Sequence, residues 1–189
     1  MDDLKAAIRT ALHSNNSINR ESVRNWIREA SDVETLALLY RLTDDAWSRI
    51  TPCLEGEETC GLIRRYLVRC ILENPDENIA LPRQEAAGEL EVWFDHLSAK
   101  KDTQKMLKDV VAAVTELFLN GDDEIRSAIE TGFLEHVLEQ DSLRPWFSHW
   151  AEDERLSKTW QRALAWGQAH PDYLKGLRKQ LRTLRSHGE

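Results

Sequence analysis

The sequence predicts an all-α protein. Apolar residues recur at three- and four-residue spacing along most of the chain, and the alternation that marks a half-buried strand is missing. Val, Ile and Thr fall inside the helical patterns rather than in runs of their own. The breaks between patterns are short, so consecutive helices are expected to lie antiparallel as an irregular stack of helix pairs.

The elements follow in order. Residues 2–13 form a first helix with Leu4, Ala7, Ile8 and Ala11 inward, and residues 20–30 a second with Val23, Trp26 and Ile27. Ser31 and Glu34 have capping-box spacing and open a third through Leu36, Leu39, Tyr40 and Leu42. A short helix is expected around Asp45–Ile50, before Pro52. Residues 57–73 carry Leu62, Ile63, Tyr66, Leu67, Cys70 and Ile71 and stop at Asn74-Pro75, where proline disfavours the helical conformation of its predecessor. Residues 83–98 hold Ala86, Leu90, Trp93, Phe94 and Leu97.

Thr103–Leu119 and Asp123–Gln140 are the clearest amphipathic pair. Leu107, Val110, Val111, Val114, Leu117 and Phe118 face inward from the first, and Ile125, Ile129, Phe133, Leu134, Val137 and Leu138 from the second. Gly121 is expected to supply a permissive C-cap, and Asp122 or Asp123 an oxygen for the next N-terminus. Helices over 143–151, 154–169 and 172–186 complete the chain, the last opened by Pro171.

The longest breaks, Asn74–Pro82 and Lys100–Thr103, lack the length and Gly/Ser/Pro content of an interdomain linker. One helical domain over 1–189 is therefore expected. Helix pairs start near residues 17, 57, 101 and 142, a spacing within the HEAT-like α-solenoid range, although the residues themselves do not repeat.

Charged residues make up 31% of the 189-residue chain and hydrophobic ones 41%, which suits a soluble globular protein. No apolar run approaches the roughly 20 residues needed to cross a bilayer, so no membrane role is expected. The N-terminus opens acidic, without an apolar signal core, and a cytoplasmic location is expected. Cys53, Cys60 and Cys70 follow no ligand spacing and read as reduced thiols in or near a core. A net charge of −8 argues against a protein that grips phosphate backbones, so no direct nucleic-acid binding is expected.

The signatures of chemistry are missing. The six histidines show no His-Glu-x-x-His or Glu-x-x-His spacing, and no P-loop, Gly-x-Gly-x-x-Gly or nucleophile elbow occurs. No metal, no cofactor and no catalytic residue is expected, and the chain reads as a non-enzyme.

Charge is unevenly distributed. Residues 120–154 carry Asp122, Asp123, Glu124, Glu130, Glu135, Glu139, Asp141, Glu152, Asp153 and Glu154 against only Arg126 and Arg144. The last helix is the reverse, with Lys175, Arg178, Lys179, Arg182 and Arg185 beside a Leu174/Leu177/Leu181/Leu184 stripe. That stripe reads first as docking against the protein's own core, and second as a dimer or partner contact. Seven tryptophans are many for this length, and most fall at positions that suit a core. In Trp146-Phe147-Ser148-His149-Trp150 the aromatics cover more than one helix face, which leaves one available as an interface anchor.

The run from Asp122 to Glu139, with Phe133-Leu134-Glu135 at its centre, resembles a segment of the small all-helical immunity proteins of bacterial polymorphic-toxin systems. In those proteins an acidic turn leads into a helix with a phenylalanine-leucine-glutamate core. The resemblance rests on these residues and extends loosely to the preceding helix. It implies a protein partner, a cognate toxin neutralised by tight stoichiometric binding. Asp122, Asp123, Glu130, Glu135, Glu139 and Asp141 would form the acidic contact face, steered to a positive cleft, with Trp146 or Trp150 as anchor. The alternatives are a non-enzymatic helical-repeat scaffold or adaptor, and an enzyme whose pocket assembles from distant helices.

Overall fold

The computed structural model of the protein describes residues 2–13, 18–44 and 56–170. Among them there are helices and turns and no strand, so the fold is all-α. The elements are α1 (Asp2–His13), α2 (Arg20–Glu29), α3 (Val33–Asp44), α4 (Gly56–Glu73), α5 (Arg83–Ser98), α6 (Gln104–Asn120), α7 (Asp123–Ala128), a π-helical segment (Ile129–Leu134), α8 (Glu135–Glu139), a 3-10 helix (Arg144–Ala151) and α9 (Ser157–Ala169). The expected helix at 45–50, Cys53 and the basic helix at 172–186 lie outside the described residues.

The chain divides into two compact units, Met1–Leu90 and Glu91–Glu189, where the sequence reading expects one domain over 1–189. The division falls inside α5, so no linker composition could mark it.

In the first unit α3 packs on both α1 and α4. Ile8, Leu36, Leu39, Leu42, Leu62 and Leu67 are fully buried there, and Tyr40 stacks on Tyr66 at 4.6 Å. The third helix starts differently from the Ser31/Glu34 expectation. Asp32 is the cap: its Oδ1 accepts from Thr35 N at 2.9 Å, and its Oδ2 accepts from the Thr35 hydroxyl at 2.8 Å. Glu34 instead turns outward to Lys5 and Arg9 of α1, at 2.5 and 2.6 Å. The open carbonyls at the end of α2 are met by Arg65 of α4, which donates to Ile27 O at 2.9 Å and to Ala30 O. Helix α4 ends as expected at Asn74, which adopts φ 46° and accepts from Arg83 N at 3.0 Å.

The second unit is centred on rings. Phe94, Phe133 and Phe147 are fully buried and lie 5.6–5.9 Å apart in edge-to-face contacts, the geometry that ring quadrupoles favour. Trp150 extends the cluster to Phe118, at 5.1 Å. Every inward residue expected in 125–138 is buried, but the helix carrying them is not uniform. It widens into a π segment around the buried Gly132, which admits an extra residue per turn.

The segment at 143–151 also departs from an α-helix. It is a 3-10 helix with Pro145 in its first turn. Residues three apart eclipse in that geometry, so Phe147 and Trp150 point together into the core while Ser148 and His149 stay exposed. An element of this kind does not repeat the helix pairs before it, whatever the spacing along the chain.

Gly121 has φ −76°, an extended conformation open to any residue. Its role is space: a Cβ there would lie 2.5 Å from both Ile125 Cγ2 and Leu117 O. Asp122 caps α7 as expected, accepting from Ile125 N at 2.8 Å.

Candidate functional site

The acidic residues expected as a contact face differ in exposure and in pairing. Asp122 is occupied as a cap. Asp123 is fully exposed, with Arg126 3.4 Å away, and Asp141 is 91% exposed beside Arg144 at 2.7 Å. Glu130 is held by Arg162 of α9 in a two-pronged pair at 2.7 and 2.6 Å, and its side chain is only 16% exposed. Glu139 is 5% exposed and lies 4.0 Å from His136. Glu135 is half-buried. Glu130, Glu135 and Glu139 are thus turned toward the protein, where α9 packs on α8 and on the π segment.

The π segment brings Glu130 and Glu135, five residues apart, within mutual repulsion. Burial first, and Glu130 second, raise the Glu135 carboxyl above its ordinary 4.5, against a smaller lowering by His170. A carboxyl with a raised folded-state pKa binds its proton better folded than unfolded. Stability therefore falls as pH rises from about 4.5 through the folded value. Glu135→Gln is expected to raise the melting temperature near neutral pH, with the gain vanishing below about pH 4 as wild-type Glu135 becomes protonated in both states. Thermal melts of both proteins across that range check the sign.

The two tryptophans separate. Trp150 is 0% exposed, and its indole N–H donates to Thr115 Oγ1 at 3.0 Å, so the intact surface does not present it. Trp146 is half-buried. Its ring meets that of Phe94 edge-to-face at 6.3 Å and 84°, and it lines a groove of about 890 Å³ between α6 and the 3-10 helix. Val111, Ala112 and Leu119 form the opposing wall from α6, and Pro145 continues the Trp146 side.

Thr115, which lines the groove, makes no polar demand on a ligand. The Thr115 hydroxyl donates to Val111 O at 2.8 Å and accepts from Trp150, so it is satisfied without a ligand. Apolar surface can cover it without stranding a buried donor. Lys108, Glu116, His149 and Arg155 stand at the rim. Arg155 is fixed by Asp153, whose carboxylate takes its backbone N–H at 2.8 Å and its guanidinium at 3.2 and 3.0 Å. These Arg155 bonds hold Asp153 below the usual carboxylate range.

A second groove, of about 700 Å³, begins at the same Leu119 and Arg155. Arg126, Lys158 and Arg162 line it, together with Asp123 and Glu130. Sequence reading missed both grooves. Their walls join α6 to residues some 30–50 positions later. The one available signal was Trp146 in its aromatic cluster.

Among the described residues, no group of three or more His, Cys, Asp or Glu could hold a metal ion, and no helix is long and apolar enough to cross a membrane. Cys60 is half-buried and Cys70 buried; both are free thiols, and burial raises that of Cys70 to about 11.

Fold and groove together define an all-helical protein with a preformed apolar cleft edged by charge. Residues 70–166 match the family described as "Domain of unknown function (DUF7674)", and the chain belongs to it. The matched span contains both walls of both grooves. No curated protein and no solved structure matches the chain.

Proposed function

We propose that the chain is a non-enzymatic protein-binding module that holds a partner in the groove beside Trp146. The observation that carries this is the state of that tryptophan. Phe94 packs edge-to-face against it, the half-buried ring lines the groove, and the Thr115 hydroxyl, which also lines the groove, is paired. A half-buried aromatic side chain already packed on one neighbour suits a binding hot spot, because little side-chain entropy is lost on contact.

The resemblance of Asp122–Glu139 to immunity proteins supports a more specific form of the reading, in which the partner is a cognate toxin and binding occludes it. In that form the contact is made through the groove and through the exposed Asp123 and Asp141. Glu130 acts inside the protein, pairing with Arg162 of α9.

Co-expression with the product of the neighbouring gene tests this. A 1:1 complex that protects the cell from the neighbour's toxicity is expected, and Trp146→Ala should weaken it at least about tenfold, as hot-spot truncations do. The variant should melt close to wild type, since the ring is half-buried. Absence of both complex and protection overturns the toxin partner. A complex that Trp146→Ala leaves at full affinity overturns the groove.

A further inference from the structure

The α6 wall of the groove beside Trp146 carries a symmetric charge pattern. Lys108, Ala112 and Glu116 stand at four-residue spacing on one face of the helix, and all three are exposed and line the groove. Ala112 is midway, so a cation and an anion lie about 6 Å to either side of it along the axis. The two charges are about 12 Å apart and do not meet each other. Neither makes an ion pair or a hydrogen bond among the described residues. The arginines nearby differ in this respect: Arg155 is paired with Asp153, Arg162 with Glu130 and Arg126 with Asp123. Val111 and Thr115 run beside the charged row, half-buried, and the Thr115 hydroxyl is already satisfied.

We propose that this face receives a second copy of the chain, packed antiparallel through α6 about a two-fold axis at Ala112. A two-fold contact is self-complementary: each residue meets on the partner the residue that its own counterpart meets in return. With the axis at Ala112, Lys108 faces the partner's Glu116 and Glu116 faces the partner's Lys108, so one contact pairs both charges on both chains. A parallel arrangement would set Lys108 against its own copy and Glu116 against its own copy, which opposes it. Ala112 has no side chain beyond its Cβ, which lets the two four-residue ridges cross at the ordinary helix separation of about 8–10 Å. Trp146, on the far wall of the groove, borders the incoming helix and adds apolar surface to it.

The inference rests on the groove as a protein-binding surface and names what covers it when no other partner is present; a foreign partner entering the groove displaces the second copy. Sedimentation equilibrium of the intact chain alone, at about 1–100 µM, is the test, a range suited to a contact of this small area. The wild type is expected to dimerise, more weakly in high salt. Lys108→Glu and Glu116→Lys should each raise the dissociation constant at least about tenfold, because either reversal sets like charges together in both halves of the contact. The double variant Lys108→Glu/Glu116→Lys exchanges the two charges and should recover the wild-type affinity. Both side chains are exposed, so all three variants should keep the wild-type circular dichroism spectrum.

A wild type that stays monomeric throughout this range overturns the second copy and leaves the groove itself to the co-expression test with Trp146→Ala. A dimer that the single reversals leave at full affinity, or that the double exchange does not restore, overturns the α6 contact.

Discussion

Trp150→Ala is expected to destabilise the protein by about 3–5 kcal/mol, the range for removing a large aromatic from a packed core. The indole is fully buried, touches Phe118 at 5.1 Å and Phe147 at 5.7 Å, and holds the 3-10 helix against α6. Its hydrogen bond adds little to the loss, because the Thr115 hydroxyl keeps its bond to Val111 O. Urea unfolding monitored by far-UV circular dichroism measures the effect. The comparison with Trp146→Ala sharpens it, since the two indoles are four residues apart in one short helix. Trp150 should govern stability and Trp146 partner binding. A loss below about 1.5 kcal/mol at Trp150, well under the usual range for a buried aromatic, would show that its packing is not as described.

Gly167→Ala carries the second large effect, and its sign is diagnostic. On helix propensity alone, alanine inside α9 should stabilise by about 1 kcal/mol. The structure opposes this: a Cβ at 167 would lie 2.8 Å from Glu139 N, 2.9 Å from Glu139 Cα and 3.1 Å from the Leu138 carbonyl carbon. These are backbone atoms and cannot rotate away. Overpacking of this kind costs typically about 1–3 kcal/mol, and the upper part of that range is expected because α8 itself must move. The melting temperature should drop by roughly 4–10 °C for a chain of this size. Gly61→Ala is the control. It also lies inside a helix, nothing stands within 4 Å of its added Cβ, and it should stabilise. Stabilisation by both substitutions would show that α9 does not approach α8 closely.

Gly167 also illustrates what was legible beforehand. Its identity is plain in the sequence, but the reason for it is another helix's backbone, almost thirty residues earlier in the chain. The same limit applies to the acids. Glu130, Glu135 and Glu139 read as one solvated face because a helical wheel contains only its own helix. Arg162 arrives from α9, and the π segment shifts the register between Glu130 and Glu135. Arg155 and Arg162, just beyond 120–154, pair with acids inside it, Asp153 and Glu130. The groove could not be read at all, since each wall is unremarkable alone and only their separation makes a cleft.

What the sequence determined by itself is the helical class, most helix boundaries, a cap at Asp122 or Asp123, and the inward residues of 103–140 apart from Val111, which lines the groove. All of these depend on interactions within a few residues of one another, where spacing along the chain stands for spacing in three dimensions. The tertiary structure alone decided which tryptophan is core and which lines a cleft, which acids are paired, and why Gly167 must be small. Those outcomes depend on close approach between segments distant in the chain, and periodicity along one helix carries no information about what the next helix brings to it.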